Sequence, residues 1–281
     1  MSKTIFITGV SGGMGRAFAV QALKAGHLVV GTVRRPEDKS TFEELAPGRS
    51  LARVLDVTDS AAVTSVIDGI EETVAPIDVL IANAGYGLEG TVEETSMADA
   101  RHQFEVNVFG VFAVVKAVLP YMRRRRRGHI FTVSSMAGLT ALPGVAFYGA
   151  SKFAIEGFSD SLAQEVAGFG IHVTCLALGS FRTEWAGRSM VRAERTIADY
   201  DDVFGPIRTA REAKDGNQAG DPAAAAKAVL SVLNTERPPV HLVLGNDALR
   251  LLELGRKRFQ DDVDAWTSLT TSTDFAAEPA R

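Results

Sequence analysis

The sequence predicts a doubly wound α/β fold in which about seven parallel strands are flanked by helices. Two observations predict it: short runs rich in apolar and β-branched residues alternate with longer segments of helical period, and a glycine-rich turn directly follows the first run. A parallel strand cannot return by a tight hairpin, so this alternation requires right-handed crossovers. The predicted strands cover residues 4–8, 28–33, 51–55, 77–82, 129–134, 171–178 and 240–244.

The clearest predicted helix lies between the fourth and fifth of these strands. Its apolar residues are spaced by four and three positions, which places one apolar stripe along the helix, and Pro120 lies near its end. The stripe consists of Phe104, Val108, Val111, Val115, Val118 and Leu119. This pattern predicts a helix that packs one face against the sheet.

The domain organisation follows from where the alternation stops. We expect one domain over residues 1–250 of the 281-residue chain. Residues 179–220 are rich in Arg, Gly, Asp and Ser with weak periodicity, and a loop this long inside a domain predicts a lid over a binding site. Asp221 and Pro222 then predict a helix start as N-cap and first residue. Residues 251–281 are predicted to form a C-terminal helix and polar tail, frayed over 267–281.

Composition excludes several classes of protein. A net charge of −4 with 23% charged residues argues against a nucleic-acid partner and against disorder. The single cysteine, Cys175, excludes an intrachain disulfide, and the histidines lack metal-ligand spacing, so we expect no metal and a cytoplasmic location. No uninterrupted apolar run approaches about 18 residues, so no membrane span is expected. The five arginines at 123–127 follow the long helix, where basic residues suit the helix dipole.

The turn after the first strand has the composition of a phosphate-binding site. Glycines there let the backbone approach a pyrophosphate, and the following helix presents unpaired N–H groups to the anion, as in Rossmann-type folds. The residues expected to bind are Thr8, Gly9, Ser11, Gly12, Gly13, Met14 and Gly15. The alternative is a tight strand-to-helix turn without a ligand.

The residues after the second strand bear on which dinucleotide is bound. An acidic residue there usually holds the ribose of NAD(H), whereas arginine accommodates the 2′-phosphate of NADP(H). Arg34 and Arg35 end this strand, and no carboxylate occurs before Glu37. The pattern favours NADP(H) over NAD(H) as cofactor, unless both arginines are solvated surface residues.

A tyrosine and a lysine four residues apart suggest acid/base chemistry. Tyr148 and Lys152 share one face of a predicted helix, and a nearby ammonium favours the phenolate. By itself such a pair is common on protein surfaces. Ser135 stands at the carboxyl end of the fifth strand, at the edge where open α/β sheets bind ligands. Ser134 is expected to point to the other face of the strand.

These motifs occur together in the order typical of one family, and the sequence resembles the short-chain dehydrogenase/reductase family. Thr8-Gly9-x-x-x-Gly13-x-Gly15 is similar to its cofactor turn, Asp56-Val57 to its adenine contact, and Asn83-Ala84-Gly85 to the motif after its fourth strand. Asn107, Ser135, Tyr148 and Lys152 match its catalytic tetrad.

The resemblance implies a role for each member of the tetrad. Tyr148 acts as general acid in reduction and as base in oxidation, and Ser135 binds the substrate oxygen. Lys152 lowers the tyrosine pKa and binds the nicotinamide ribose. Asn107 holds a water in a proton relay.

Gly179, Phe181 and Thr183 follow the sixth strand, where the family contacts the nicotinamide carboxamide. Here Leu178 replaces a proline that many members carry, so we expect a less rigid turn and altered cofactor affinity.

The function implied by the resemblance is hydride transfer between NADP(H) and a carbonyl or secondary alcohol. Apolar residues expected near the site, Tyr86, Ala137, Leu142 and Trp185, suggest an apolar small-molecule substrate. Members usually pair through the helices that here contain Asn107 and Tyr148, which predicts a homodimer or homotetramer. Two alternatives remain open: an NADP(H)-sensing binding protein, and an epimerase or dehydratase on the same fold.

Overall fold

The main sheet of the computed structural model, which describes residues 2–275, contains the seven predicted strands. The nine strands of the described chain are β1 (Thr4–Ile7), β2 (Leu28–Val33), β3 (Ser50–Val54), β4 (Val79–Ala82), β5 (Gly87–Glu89), β6 (Gly128–Ser135), β7 (Ile171–Leu178), β8 (Met190–Arg192) and β9 (His241–Leu244). The main sheet has the order β3-β2-β1-β4-β6-β7-β9, and all its neighbouring strands are parallel. The predicted Rossmann-type α/β fold is confirmed.

Helices cover both faces of this sheet. They are α1 (Gly13–Lys24), α2 (Asp38–Glu43), α3 (Ser60–Thr73), α4 (Met97–Phe104), α5 (Gly110–Arg125), α6 (Ala146–Val166), α7 (Asp201–Glu212), α8 (Pro222–Val232) and α9 (Asn246–Thr271). One buried cluster joins the sheet to α3, α5 and α6, and a second joins it to α1 and α8. Each fully buried aliphatic side chain in these clusters stabilises the fold by roughly 1.5–3 kcal/mol.

The strand order reverses between β1 and β4. The chain proceeds outward from β1 through β2 and β3, then crosses to β4 on the other side of β1. Loops on the two sides therefore diverge at the carboxyl ends of these strands and leave a crevice, which is where such sheets bind ligands. The glycine turn lies at this point.

A π-helical turn over Glu105–Phe109 joins α4 to α5, so the predicted long helix is not regular along its length. The combined helix Met97–Arg125 is long and apolar enough to cross a membrane by composition. Four residues of its apolar stripe, however, are buried: Val108, Val111, Val115 and Val118. Burial of these residues is typical of a helix that packs one face on a sheet.

The arginines at the end of α5 bind the body of the protein. Arg125 forms an ion pair with Glu71 at 2.6 Å and donates to the Ile77 carbonyl oxygen. Arg127 pairs with Asp78 at 3.1 Å. Arg126 ends the helix in the left-handed conformation, at φ 53°. Three of these five arginines therefore have structural roles at the end of α5.

The segment 179–220, which we call the lid, contains more regular structure than its composition predicted. β8 pairs with β5 in a separate two-stranded parallel sheet, and α7 follows. The buried carboxylate of Glu89 on β5 binds Arg192 of β8 at 2.8 Å and also Arg211 of α7. These ion pairs join the lid to the chain after β4. Helix α8 begins as predicted, with the Asp221 carboxylate accepting from Ala223 N–H at 2.8 Å.

The C-terminal helix α9 continues through Thr271, so residues 267–271 of the segment predicted to fray are helical. Among its residues, all of which the structure describes, Ala248 alone is buried. Residues 276–281 of the predicted frayed tail lie outside the described residues.

Candidate active site

The glycine turn has the geometry that close approach of an anion requires. Gly9 and Gly13 have φ of 75° and 56°, a region that side chains disfavour. A Cβ on Gly15 would collide with the Gly9 carbonyl oxygen, so only glycine lets α1 pack this tightly on the turn. Gly12 is the N-cap of α1 and has no side chain to satisfy the first N–H groups of the helix. Ser11 lies in the same turn, and Met14 lies in the first turn of α1.

The motif after β4 fixes this turn from the neighbouring strand. The Thr8 hydroxyl accepts hydrogen bonds from the backbone N–H groups of Asn83 at 2.9 Å and Ala84 at 3.0 Å. The Asn83 amide donates to the carbonyl oxygens of Thr8 at 2.9 Å and Gly9 at 3.1 Å. The two predicted cofactor motifs therefore form one hydrogen-bonded unit at the switch point.

The two arginines after β2 differ in their surroundings. Arg35 donates to both carboxylate oxygens of Asp38, at 2.9 and 3.1 Å, and lies 3.6 Å from Glu37. This hydrogen bond and the Asp38 charge raise the pKa of Arg35. Arg34 is exposed and has no hydrogen bond or ion pair with the part of the chain that the structure describes. Arg34 is therefore the guanidinium available to an added phosphate.

Asp56 and Val57 lie beside the same crevice, after β3. The Asp56 carboxylate accepts from the N–H of Thr58 at 3.0 Å and from its hydroxyl at 2.8 Å, and these bonds lower the pKa of Asp56. Val57 is buried, and its side chain lies where a Cβ on Gly110 would sit. The pair follows the carboxyl end of β3, at the same edge of the sheet as the glycine turn.

Ser135, Tyr148 and Lys152 meet at the carboxyl end of β6. Ser135 is the last residue of β6, and its hydroxyl accepts from Ala137 N–H at 3.2 Å. Tyr148 lies in the first turn of α6. Burial raises the pKa of Tyr148 to about 12, and the Ser135 hydroxyl acts against this rise. The neighbouring Ser134 hydroxyl instead points to the Lys152 carbonyl oxygen, at 3.4 Å.

Lys152 is held in a fixed position below the tyrosine. Its ammonium donates to the Val133 carbonyl oxygen at 2.9 Å and lies 5.7 Å from the centre of the Tyr148 ring. Burial lowers the pKa of Lys152 to about 8, while the Glu156 carboxylate acts in the opposite direction. A buried lysine with this pKa exchanges its proton close to neutral pH.

Asn107 joins the π-helical turn to the loop after β4. Its amide oxygen accepts from Tyr86 N–H at 3.1 Å, and its nitrogen donates to the Tyr86 carbonyl oxygen at 3.0 Å and lies 3.5 Å from the Ser151 hydroxyl. Gly85 leaves room for it, because a Cβ there would lie 3.0 Å from the amide oxygen. Asn107 is fully buried, next to the helix that carries Tyr148 and Lys152.

Comparison with known proteins identifies the family. A family model described as short chain dehydrogenase matches residues 3–192. The chain belongs to the short-chain dehydrogenase family. It is 37% identical to the oxidoreductase BOA17 of Botryotinia fuckeliana, over 97% of this chain and 100% of that protein. It is 35% identical to a 3-ketodihydrosphingosine reductase of Bacteroides thetaiotaomicron, over 86% and 88% of the two chains.

Solved structures agree with this assignment. A short-chain dehydrogenase from Streptomyces avermitilis has a TM-score of 0.91 and 36% identity to this chain, over 98% of this chain and 99% of that one. ElxO with NADP bound has a TM-score of 0.71 and 27% identity, over 87% and 96%. The chain is therefore a short-chain dehydrogenase with the fold of oxidoreductases that bind a nicotinamide dinucleotide.

The turn after β7 in this short-chain dehydrogenase is fixed by a residue that the sequence analysis missed. Leu178, which replaces a proline, is buried and continues the pairing of β7 with β9. The Asp247 carboxylate at the start of α9 accepts from Ser180 N–H at 2.9 Å, and Gly179 N–H donates to the Leu244 carbonyl oxygen at 2.8 Å. These bonds constrain the turn without proline.

The hydroxyl of Thr183 caps a turn near the start of the lid. Its oxygen lies 3.4 Å from Trp185 N–H. Phe181 bridges to Gly220, so the two ends of the lid meet at this point.

The predicted substrate residues are only partly brought together. Ala137, Leu142 and Trp185 pack in one apolar cluster with Val145 and Tyr148. Tyr86 lies apart from this cluster, because its ring packs on His102 with ring centres 5.8 Å apart. Its backbone, rather than its ring, supports the site through Asn107. The apolar cluster forms one wall beside the phenol of Tyr148.

Proposed function

We propose that this short-chain dehydrogenase transfers a hydride between NADP(H) and a carbonyl or secondary alcohol. The observation that carries the proposal is the convergence of Ser135, Tyr148 and Lys152 at the carboxyl edge of the sheet, next to a glycine turn built for phosphate. A binding protein that only senses the dinucleotide has no need of these three groups together.

Each residue has a defined task in reduction. Tyr148 donates its phenolic proton to the carbonyl oxygen as the carbon receives the hydride, so the product is an alcohol and Tyr148 is left as phenolate. Ser135 donates a hydrogen bond to the same oxygen and stabilises its developing charge. Lys152 holds its positive charge near the phenolate and, in the proposed relay, returns a proton to it. In oxidation the proton moves in the opposite direction.

The residues of the crevice fit a nicotinamide dinucleotide. The dinucleotide supplies or accepts the hydride when it is bound. The glycine turn with Thr8, Asn83, Ala84 and Gly85 would hold its diphosphate, and Asp56 and Val57 its adenine. Gly179, Phe181 and Thr183 would hold its carboxamide. Arg34 supports NADP(H) over NAD(H), because its guanidinium is free to bind a 2′-phosphate and that of Arg35 is held by Asp38.

The substrate we propose is an apolar ketone, aldehyde or secondary alcohol. The apolar cluster of Ala137, Leu142, Val145 and Trp185 beside Tyr148 supports this class, because it offers contact area and few polar groups. The likeness to a 3-ketodihydrosphingosine reductase agrees with a ketone attached to an apolar chain.

The remaining expectations concern assembly, domain organisation and location. We propose a homodimer or homotetramer that pairs through the helices carrying Asn107 and Tyr148. Phe109 and Phe153 on these helices support it, because they are 52% and 47% exposed and pairing would cover them. We also retain one domain over residues 1–250, with the lid within it, and a cytoplasmic location. Sedimentation that shows monomer alone at micromolar concentration excludes the assembly.

The test is loss of NADPH absorbance with a panel of ketones, aldehydes and quinones, using the wild-type chain and Tyr148→Phe. The proposal predicts loss with at least one apolar carbonyl compound, and a decrease in rate of about 10²-fold or more in the variant. Confirmed NADPH binding with no turnover across the panel would favour a sensor. Product formation without net change in the nicotinamide would favour an epimerase or dehydratase.

A further inference from the structure

Two charged side chains of the lid lie over the glycine turn. Arg188 Nη2 is 2.7 Å, and Glu184 Oε2 3.3 Å, from the point that a Cβ on Gly12 would occupy. The two side chains form an ion pair with each other, and each is more than half exposed. The lid therefore reaches from the catalytic tyrosine to the phosphate-binding end of the crevice.

The Glu184 carboxylate lies near the positive end of the α1 helix dipole. Gly12 is the N-cap of α1, no side chain caps this helix, and its first turn carries no acidic residue. The helix end has unpaired N–H groups and a positive dipole, which attract an anion. The Glu184 carboxylate lies beside the place where a dinucleotide phosphate would bind.

Arg188 is placed to bind an anion that takes this position. Its partner Glu184 is exposed, and exposed ion pairs of this kind contribute little to stability, so the guanidinium can change partner at low cost. A guanidinium binds phosphate through two parallel hydrogen bonds. Arg188 also lies near Asp38, which follows β2. The pKa of Asp38 is lowered chiefly by its hydrogen bond from Arg35, and the nearby charge of Arg188 contributes to the same lowering.

We propose that Arg188 binds a phosphate group of the dinucleotide, and that Glu184 holds Arg188 over the turn until the phosphate displaces the carboxylate. This inference rests on the proposed function, because it needs a dinucleotide in the crevice. It also links cofactor binding to the substrate wall: Trp185, which packs on Tyr148, follows Glu184 directly in the chain. Bound phosphate then fixes the segment that completes the apolar wall.

The test measures dissociation constants of NADPH, NADH and ADP-ribose by calorimetry. The chains compared are the wild type, Arg188→Ala, Glu184→Gln and Arg208→Ala. Arg208 is a matched control, because it forms an i,i+4 ion pair with Glu212 elsewhere in the lid. Arg188→Ala is expected to weaken NADPH binding by about tenfold or more. Glu184→Gln is expected to strengthen it several-fold, since a competing anion is removed, and Arg208→Ala to leave it unchanged.

Comparison of the three ligands shows which phosphate group of the dinucleotide Arg188 binds. Equal weakening of all three by Arg188→Ala assigns Arg188 to the diphosphate, and weakening of NADPH alone assigns it to the 2′-phosphate. If the wild-type chain binds NADPH and Arg188→Ala binds it equally well, the inference is overturned and the proposed function stands. If the wild-type chain binds none of the three, both fail together. Thermal unfolding of each variant confirms that it is folded.

Discussion

The ring of Trp185 packs against the ring of Tyr148, with ring centres 5.2 Å apart and planes inclined at 52°. Trp185 belongs to the lid, whereas Tyr148 belongs to α6 on the body of the fold. The lid thus supplies part of the wall beside the proposed proton donor. Its position would decide how much apolar surface the proposed substrate meets there.

Trp185→Ala should raise the KM for an apolar ketone by about tenfold or more, because a large aromatic contact is lost, and should change kcat less. Steady-state kinetics measure both constants. The chain offers a matched control in Trp266→Ala, since Trp266 is 64% exposed on α9 and should leave both constants unchanged. If the two substitutions changed KM equally, Trp185 would not be a residue of the substrate site.

Arg34→Ala should weaken NADPH binding by about 10- to 100-fold and leave NADH binding nearly unchanged, because charged hydrogen bonds to the 2′-phosphate are lost. Arg35→Ala should have a smaller effect, since Asp38 already holds that guanidinium. Fluorescence titration of the reduced cofactors measures the constants. Tighter binding of NADH than of NADPH by the wild-type chain would contradict the assignment of cofactor.

Glu94 should control the order of the lid. Burial would raise its pKa, but the N–H groups of Ile197 and Thr196, the Thr91 hydroxyl and Arg195 together lower it to about 2. Glu94→Ala should therefore increase the hydrogen-exchange rate of the Thr196 and Ile197 amides by about tenfold or more. A change of this size corresponds to the loss of roughly one charged hydrogen bond. The exposed Glu44→Ala is the control.

The same contact gives a pH dependence. The folded pKa of Glu94 lies below its ordinary 4.5, so the stabilisation is present above that pH and is lost as the pH falls toward about 2. In the wild-type chain, protection of these two amides should decrease across this range. Protection that stays constant there would exclude Glu94 as the group that holds the lid.

Reduction and oxidation should differ in their pH profiles. Because burial raises the pKa of Tyr148 to about 12, the phenol keeps its proton through neutral pH and can act as an acid in reduction. Oxidation needs the phenolate, so its kcat should rise by up to about tenfold per pH unit between about pH 6 and 9, while that of reduction stays nearly level. Parallel profiles in the two directions would contradict the role of Tyr148.

The main sheet could be predicted because each of its strands is a run of four or more residues, most of them apolar or β-branched, next to a helical segment. β5 and β8 could not, because each has three residues, too few to show a period. The π-helical turn was also missed. This turn contains Asn107, which forms hydrogen bonds with the backbone of Tyr86, 21 residues earlier in the chain. The spacing of apolar residues does not indicate such a contact.

The proposed catalytic residues could be named from the sequence because they occur in motifs with the spacing typical of one family. Contacts made by the lid could not, since they depend on how it packs: Glu89 binds Arg192 and Arg211, which lie more than 100 residues later. The direction of the Tyr148 pKa also depends on burial, which no local pattern records. Asp247 was missed for the same reason, although its place at the start of α9 was a signal for a capping residue.

In the proposed reaction, a hydride reaches the substrate carbon while Tyr148 supplies the proton. NADPH deuterated at the transferred position of C4 tests it, with the carbonyl compound on which the wild-type chain is most active. We expect one deuterium on the carbinol carbon of the product. Tyr148→Phe should form almost no product, although it should still bind NADPH. Product without deuterium, or equal product from the variant, would contradict it.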